Sequence, residues 1–258
     1  MTDPGNAVYR RDVLSRRLAI WQRADGHKAA SDDVLLAWWA AEMRPDARRC
    51  LDLGTGKGTV ALLLSQALPR AYIVGVEALP ESHTLALRNI AENGLVGRFD
   101  ARLGDLRAKT LLAGEAPFEL VTGAPPFMPV GSGVLPRDAQ RAAGRFELRG
   151  GVEAYVETAA RHLAADGVCV ILMDGAGGPR AMRAFEASGL TVYRRLDVLP
   201  RPGRPPTYQL VVGGPTRMGS LAPAPGPGLE VLAMRATTGE DWTPEFAAVR
   251  QRLDLPGA

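Results

Sequence analysis

The chain is short of the residues on which metal and nucleophilic chemistry is most often built. It holds two cysteines and three histidines in 258 residues. Cys50 and Cys169 each lie in an apolar run of strand character, which predicts buried thiols rather than a bridge or a metal site. His27, His83 and His162 stand beside no nucleophile motif, no cysteine–histidine spacing suits a metal ion, and no Gly-x-Ser-x-Gly elbow is present. Long apolar runs are missing too. None reaches membrane-spanning length, and the opening Met1-Thr2-Asp3-Pro4-Gly5 lacks the apolar core of a secretory leader. The expectation is a cytoplasmic protein with no metal and no membrane anchor. A strong charge of one sign is also lacking: the net charge of +3 permits a nucleic-acid partner without requiring one. Arg10, Arg11, Arg16, Arg17, Arg23 and Lys28 crowd the beginning, and Arg194, Arg195, Arg201 and Arg204 a later stretch. A solvated arginine surface and a nucleic-acid contact both remain open there.

What is present starts with Leu51-Asp52-Leu53-Gly54-Thr55-Gly56-Lys57-Gly58-Thr59-Val60. It reads as the end of a buried strand, a glycine-rich turn and the start of a helix. Glycines at alternate positions let the backbone approach a ligand where a Cβ would collide, and the helix adds free N–H groups and a positive dipole end. The spacing differs from the G-x-G-x-x-G of dinucleotide sites. Asp52 stands at the strand end, where a carboxylate accepts from an ammonium group and repels a pyrophosphate. That combination suits S-adenosylmethionine, with Gly54, Thr55, Gly56 and Gly58 lining its amino-acid end. A second apolar run ends at Glu77, about 20 residues on, where a ribose-binding acid is expected in a βαβ unit. A third leads to Asp105, placed to bond the exocyclic amine of an adenine.

Ser31 reads as an N-cap, with Asp32 and Asp33 complementing the helix dipole. The helix runs on through Trp38 and Trp39, which could stack on bases, although so dense an apolar run more often marks burial. From residue 48 strands and helices alternate. Helices are expected over 60–68, over 81–93 with Leu85, Leu87, Ile90 and Ala91 inward, over about 151–164, and up to Ser188. Strands are expected over 118–122, 168–173, 190–199 and 207–213, with a Gly- and Pro-containing loop over 128–150. The pattern predicts a parallel-dominated α/β sheet with helices on both faces and ligands at the carboxyl ends of the strands. Three segments follow: an N-terminal helical and basic extension (1–45), a central domain (46–215), and a Pro/Gly connector over 222–228 leading to a closing segment that docks back (222–258).

At the end of the fourth strand stands Gly123-Ala124-Pro125-Pro126-Phe127. Two prolines fix the backbone and remove two N–H groups, leaving carbonyls as acceptors, and Phe127 can cover the face of a flat substrate. Taken with Asp52, the glycine turn, Glu77 and Asp105, this resembles the class I methyltransferases that act on amino nitrogens. Gly26-x-x-x-x-Ser31-x-Asp33-x-Leu35-Leu36-Ala37, Gln140-Arg141-x-x-x-Arg145 and Trp242-Thr243-x-Glu245-Phe246 are similar to the bacterial tRNA1(Val) adenine-N6 methyltransferase-like family. The resemblance implies a Rossmann-like fold with a seven-stranded, mostly parallel sheet. It further implies S-adenosylmethionine as cofactor, RNA as partner, a catalytic turn over 124–127, and substrate contacts from Asp33, Gln140, Arg141 and Arg145; nothing in the sequence suggests more than a monomer. The chain departs from the family at Ala124, where the turn otherwise begins with Asn, whose side chain helps hold the target amine. Adenine methylation, methyl transfer to a small molecule or a protein glutamine, and donor and RNA binding without turnover are all compatible with that departure.

Overall fold

The computed structural model describes residues 8–26, 28–215 and 231–257. His27, the opening residues 1–5 and the connector over 222–228 lie outside the described residues.

The chain begins with β1 (Tyr9–Val13) and β2 (Ala19–Arg23), an antiparallel hairpin that forms a small sheet of its own. This corrects the helical extension expected before residue 45, of which only α1 (Ser31–Met43) is helical. The hairpin is held by two asparagines on one side of α3 (Pro80–Glu92) and its cap. The Asn89 amide accepts from the Trp21 N–H (2.6 Å) and donates to its carbonyl (3.1 Å). Asn93 repeats the pattern on Ala19 at 2.9 Å in both directions. A primary amide carries the same donor and acceptor as a peptide, so these side chains satisfy the β2 backbone as a further strand would.

The main sheet contains β3 (Arg49–Leu53), β4 (Tyr72–Glu77), β5 (Phe99–Leu103), β6 (Phe118–Gly123), β7 (Leu163–Asp174), β8 (Leu190–Leu199), β9 (Tyr208–Pro215) and β10 (Val231–Ala233). Their order across the sheet is β10-β8-β9-β7-β6-β3-β4-β5. All pairs are parallel except the two that β9 makes with β7 and β8. The loop over 200–207 joins β8 directly to β9, and only antiparallel strands can be joined without a crossover. The sheet has eight strands where seven were expected. The eighth is β10, which comes from the closing segment and pairs with the edge of β8, Leu232 opposite Val198.

Alternation along the strands feeds two cores. Val168, Val170 and Leu172 of β7 point to the face covered by α1, α2 (Thr59–Ala67), α3 and α7 (Pro244–Arg252). Cys169, Ile171 and Met173 point to the face covered by α5 (Val152–His162) and α6 (Gly178–Ala187). Both cysteines are buried free thiols, and Trp39 is buried while Trp38 packs at the core's edge. Three local expectations change. Ala30 rather than Ser31 caps α1, with the Asp33 carboxylate accepting from the Ala30 N–H at 3.1 Å. Leu87 and Ala91 are exposed, because α3 buries Leu85, Ala86, Asn89 and Ile90. The loop over 128–150 holds a helix, α4 (Ala139–Arg145), whose N-cap Asp138 accepts from the Arg141 N–H.

Candidate active site

Chain order reverses between β3, which leads to β4 and β5, and β6, which leads to β7. Loops diverge at such a point and leave a crevice at the carboxyl ends. A cavity of 590 Å³ lies there. It brings together Asp52, Gly54, Thr55 and Gly56 after β3, Glu77 after β4, Asp105 after β5, and Ala124, Pro125, Pro126 and Phe127 after β6. Asp33, Gln140 and Arg145 also line it. Gly58 and Arg141 do not: Gly58 caps α2, and the Arg141 side chain is exposed on the outer side of α4.

The glycine turn is wound tightly by left-handed residues. Gly54 has φ +67°, and a Cβ there would lie 2.3 Å from the Tyr155 hydroxyl oxygen. Gly56 has φ +59° with open space where its Cβ would be. The acids expected to meet a ligand are already engaged, two of them in holding this turn. Asp52 is buried, and its carboxylate accepts from the hydroxyls of Thr55 (2.6 Å) and Thr122 (2.7 Å). Burial pushes its carboxyl up to about 6 against the pull of those two hydroxyls. Glu77 accepts from the N–H groups of Gly56 (2.9 Å) and Leu79 (2.6 Å), and burial raises its pKa as well. Asp105 takes both side-chain bonds of Arg107 (2.6 and 2.9 Å), which hold its carboxyl below the usual range. It is an acceptor already in use rather than an open one.

The reading of residue patterns passed over several groups that line the same cavity. Lys57 is buried, with burial lowering its pKa against the opposing pull of Asp33 and Asp32. Burial and the Asp32 charge push Asp33 up to about 7, with Lys57 pulling the other way. Asp32 has one buried carboxylate oxygen without a hydrogen-bond partner. Tyr155, on α5, is buried against Gly54 and Gly123, and its hydroxyl pKa is raised by burial and by the surrounding acids. Asp174, Tyr208 and Arg149 complete the wall. Lys57 carried a signal in its place inside the turn. Asp32 and Asp33 carried one as first-turn acids of α1, whereas Tyr155, Asp174, Tyr208 and Arg149 carried none, because pairing and packing bring them in.

The roof is α4, and a buried hub ties it down. The Arg23 guanidinium, 13% exposed, pairs with Asp138 (2.7 Å), Glu81 (3.3 Å) and Asp25 (3.1 Å), joining hairpin, α3 and α4. Gln140 is buried and bonds Ser82 at 3.2 Å. Its amide oxygen lies 2.2 Å and the Arg23 Cβ 2.8 Å from where a Cβ on Gly26 would stand, so a side chain there would have to displace its neighbours. Among the described residues no cluster of His, Cys, Asp and Glu could hold a metal ion, and no helix is long and apolar enough to cross a membrane.

No protein-family model matches the chain. It is 34% identical over 141 residues to a tRNA1(Val) (adenine(37)-N6)-methyltransferase of Porphyromonas gingivalis, a match covering 53% of this chain and 54% of that one. The chain thus spans about half the length of that curated relative. It is 30% identical over 199 residues to the Bacteroides thetaiotaomicron protein of the same name, covering 76% of this chain and 80% of the other. Among solved structures, a predicted O-methyltransferase of Agrobacterium tumefaciens superposes with a TM-score of 0.62 at 19% identity, covering 87% of this chain and 97% of that one. At that identity the likeness is one of fold, and the fold is the Rossmann-like methyltransferase fold. Sequence identity sustained over three quarters of its length supplies the rest: the chain belongs to the tRNA1(Val) (adenine(37)-N6)-methyltransferase family.

Proposed function

We propose that this protein transfers a methyl group from S-adenosylmethionine to the exocyclic amine of an adenine in tRNA, in the cytoplasm. The observation that carries the reading is the shared cavity, which sets an acid-rich glycine turn against the Pro125-Pro126-Phe127 turn across the switch point. The donor's chemistry suits the walls. Its ammonium needs acceptors, and the cavity offers the Asp32 oxygen that has no hydrogen-bond partner and Asp52, whose oxygens can each accept more than one bond. The bare backbone at Gly56 leaves room for its amino-acid end.

When bound, the donor supplies an electrophilic methyl on a sulfonium, so the protein's task is largely positioning. Asp52, Gly54, Thr55 and Gly56 hold the amino-acid end, with Gly58 fixing the helix start behind them. Glu77 receives the ribose hydroxyls, and Asp105 shares its carboxylate between Arg107 and the donor's adenine amine. Phe127 stacks on the acceptor base, which must first be unstacked from its loop. The Pro125 carbonyl accepts from the target amine. Arg145 and Arg149 on the rim meet phosphates, and Arg141 extends that contact outward. Asp33 and Gln140 act on the substrate through the wall and roof they hold.

Ala124 favours a second reading, a different methyl acceptor. Losing one aimed polar group typically lowers a rate by about 10²-fold, and an oxygen or ionised nucleophile would not need it. Transfer of labelled methyl from S-adenosylmethionine into separated pools of tRNA, protein and small metabolites decides between them. Label in tRNA adenine, lost in Asp52→Ala, is the expected result. Label confined to another pool, or none despite donor binding, overturns the tRNA reading.

A further inference from the structure

The turn after β6 gives an amine little to hold it. Ala124 has no polar side chain, and Pro125 and Pro126 have no N–H, so only carbonyl oxygens are offered. An aromatic amine keeps its lone pair delocalised in the ring, and two acceptors placed on its two N–H bonds help turn that lone pair outward. One carbonyl is half of this arrangement.

The neighbouring strand ends in a carboxylate that lines the same cavity. β7 runs parallel to β6 with Gly123 opposite Ile171. β6 ends at that pair and the chain turns away at Ala124, while β7 continues three residues further and ends at Asp174. Alternation puts Asp174 on the same face as Val170 and Leu172, the face on which Ala124 packs. Asp174 lines the cavity together with Ala124, Pro125 and Phe127. Its carbonyl accepts from the Gly177 N–H at 3.0 Å, and a Cβ on Gly177 would lie 2.8 Å from its Oδ1, so the bare glycine leaves the carboxylate its space. The carboxylate itself makes no hydrogen bond or ion pair among the described residues. Most of the other acids of the cavity are engaged, and Asp32 keeps one oxygen without a hydrogen-bond partner. Asp52 holds two hydroxyls, Glu77 two N–H groups and Asp105 a guanidinium, while Asp32 and Asp33 stand together on α1 against Lys57.

We propose that the Asp174 carboxylate is the second acceptor for the target amine and receives its proton. The inference rests on the methyltransferase reading above. The amine lone pair forms the new N–C bond as the methyl's S–C bond breaks and its electron pair stays on sulfur. The methylated nitrogen, now positive, loses one N–H proton to Asp174, which passes it to water.

The test is single-turnover methyl transfer to tRNA by the wild type, Asp174→Ala, Asp174→Asn, and Asp174→Ala combined with Ala124→Asn, with donor binding and thermal midpoint measured on each. Asp174→Ala is expected to lower the rate about 10²-fold while donor affinity and midpoint hold. Asp174→Asn keeps an acceptor and retains more activity, and Ala124→Asn restores much of the loss in Asp174→Ala. A wild-type rate in Asp174→Ala overturns the inference alone. So does a loss that tracks donor binding or folding, or one that Ala124→Asn leaves unchanged. A wild type that labels no RNA overturns the functional reading and this inference with it.

Discussion

Gly54 and Gly56 share a left-handed backbone but not their surroundings, and that difference makes a sharp test of the turn. Alanine at either position meets the left-handed penalty of about 1–2 kcal/mol. At Gly56 nothing lies within 4 Å of the added carbon. At Gly54 the carbon would stand 2.3 Å from the Tyr155 hydroxyl oxygen, over an ångström inside the roughly 3.5 Å at which such atoms rest. Tyr155 has little freedom to withdraw, since a Cβ on Gly123 would lie only 2.8 Å from its Cδ1 on another side. Overpacking of this kind adds about 1–3 kcal/mol. Gly54→Ala should therefore destabilise by about 2–5 kcal/mol and Gly56→Ala by about 1–2, read as denaturant midpoints at unchanged slope. The ligand effects should run in the opposite order, because the Gly56 carbon enters open cavity where the donor's amino-acid end belongs. Tyr155→Phe removes the clashing oxygen, which makes no hydrogen bond among the described residues, and should recover about 1 kcal/mol or more of the Gly54→Ala loss. Equal losses at the two glycines, or additive effects of Gly54→Ala and Tyr155→Phe, would refute the account.

Three further outcomes follow from the site's electrostatics. Asp52 sits at about 6 in the fold against 3.8 ordinarily, so its contribution to stability is complete below pH 4 and is lost as pH rises through 6. Asp52→Asn should then gain on the order of 3 kcal/mol over the wild type at pH 8, a gap that closes below pH 4; unfolding curves showing a pH-independent gap would contradict this. Arg23→Ala removes the hub joining hairpin, α3 and α4. Hydrogen exchange should speed up in both Ala139–Arg145 and the hairpin, with a global loss of about 1–3 kcal/mol, and acceleration confined to the hairpin would mean the hub does not hold the roof. Arg107→Ala frees the Asp105 carboxylate and should tighten donor binding in calorimetry. Weaker binding would show that Arg107 itself touches the donor.

The parts of this site that are legible in the sequence are those that local chemistry announces. A strand end, a glycine turn and a helix start are determined by neighbours along the chain, so Asp52 through Val60, Glu77 and Asp105 can be placed from the residue pattern alone. The Pro-Pro-Phe turn is legible for the same reason. The alternation of strands with helices also gives away the sheet's parallel character. The hairpin escapes such a reading because its stability lies in Asn89 and Asn93, which look like an ordinary helix and its cap until their amides meet β2. The eighth strand escapes it because three residues, Val231–Ala233, gain strand form only from the edge of β8. Helix α4 does so because its seven residues are anchored by the distant Arg23 and Ser82 rather than by an apolar stripe.

The roles of the acids show the limit most clearly. Sequence spacing correctly puts three carboxylates at three strand ends, yet spacing carries no information on what each carboxylate already bonds. Asp52 and Glu77 turn out to brace the glycine turn, and Asp105 is held by Arg107 two residues away. Among the described residues the Asp174 carboxylate makes no hydrogen bond or ion pair, and its place depends on the pairing of β6 with β7 across the intervening α4 and α5. A substitution such as Ala124 looks like a lost function when read along the chain. Across the sheet, the next strand ends in a carboxylate that lines the same cavity, and in the proposed mechanism the loss at one strand end is met by the acceptor at its neighbour.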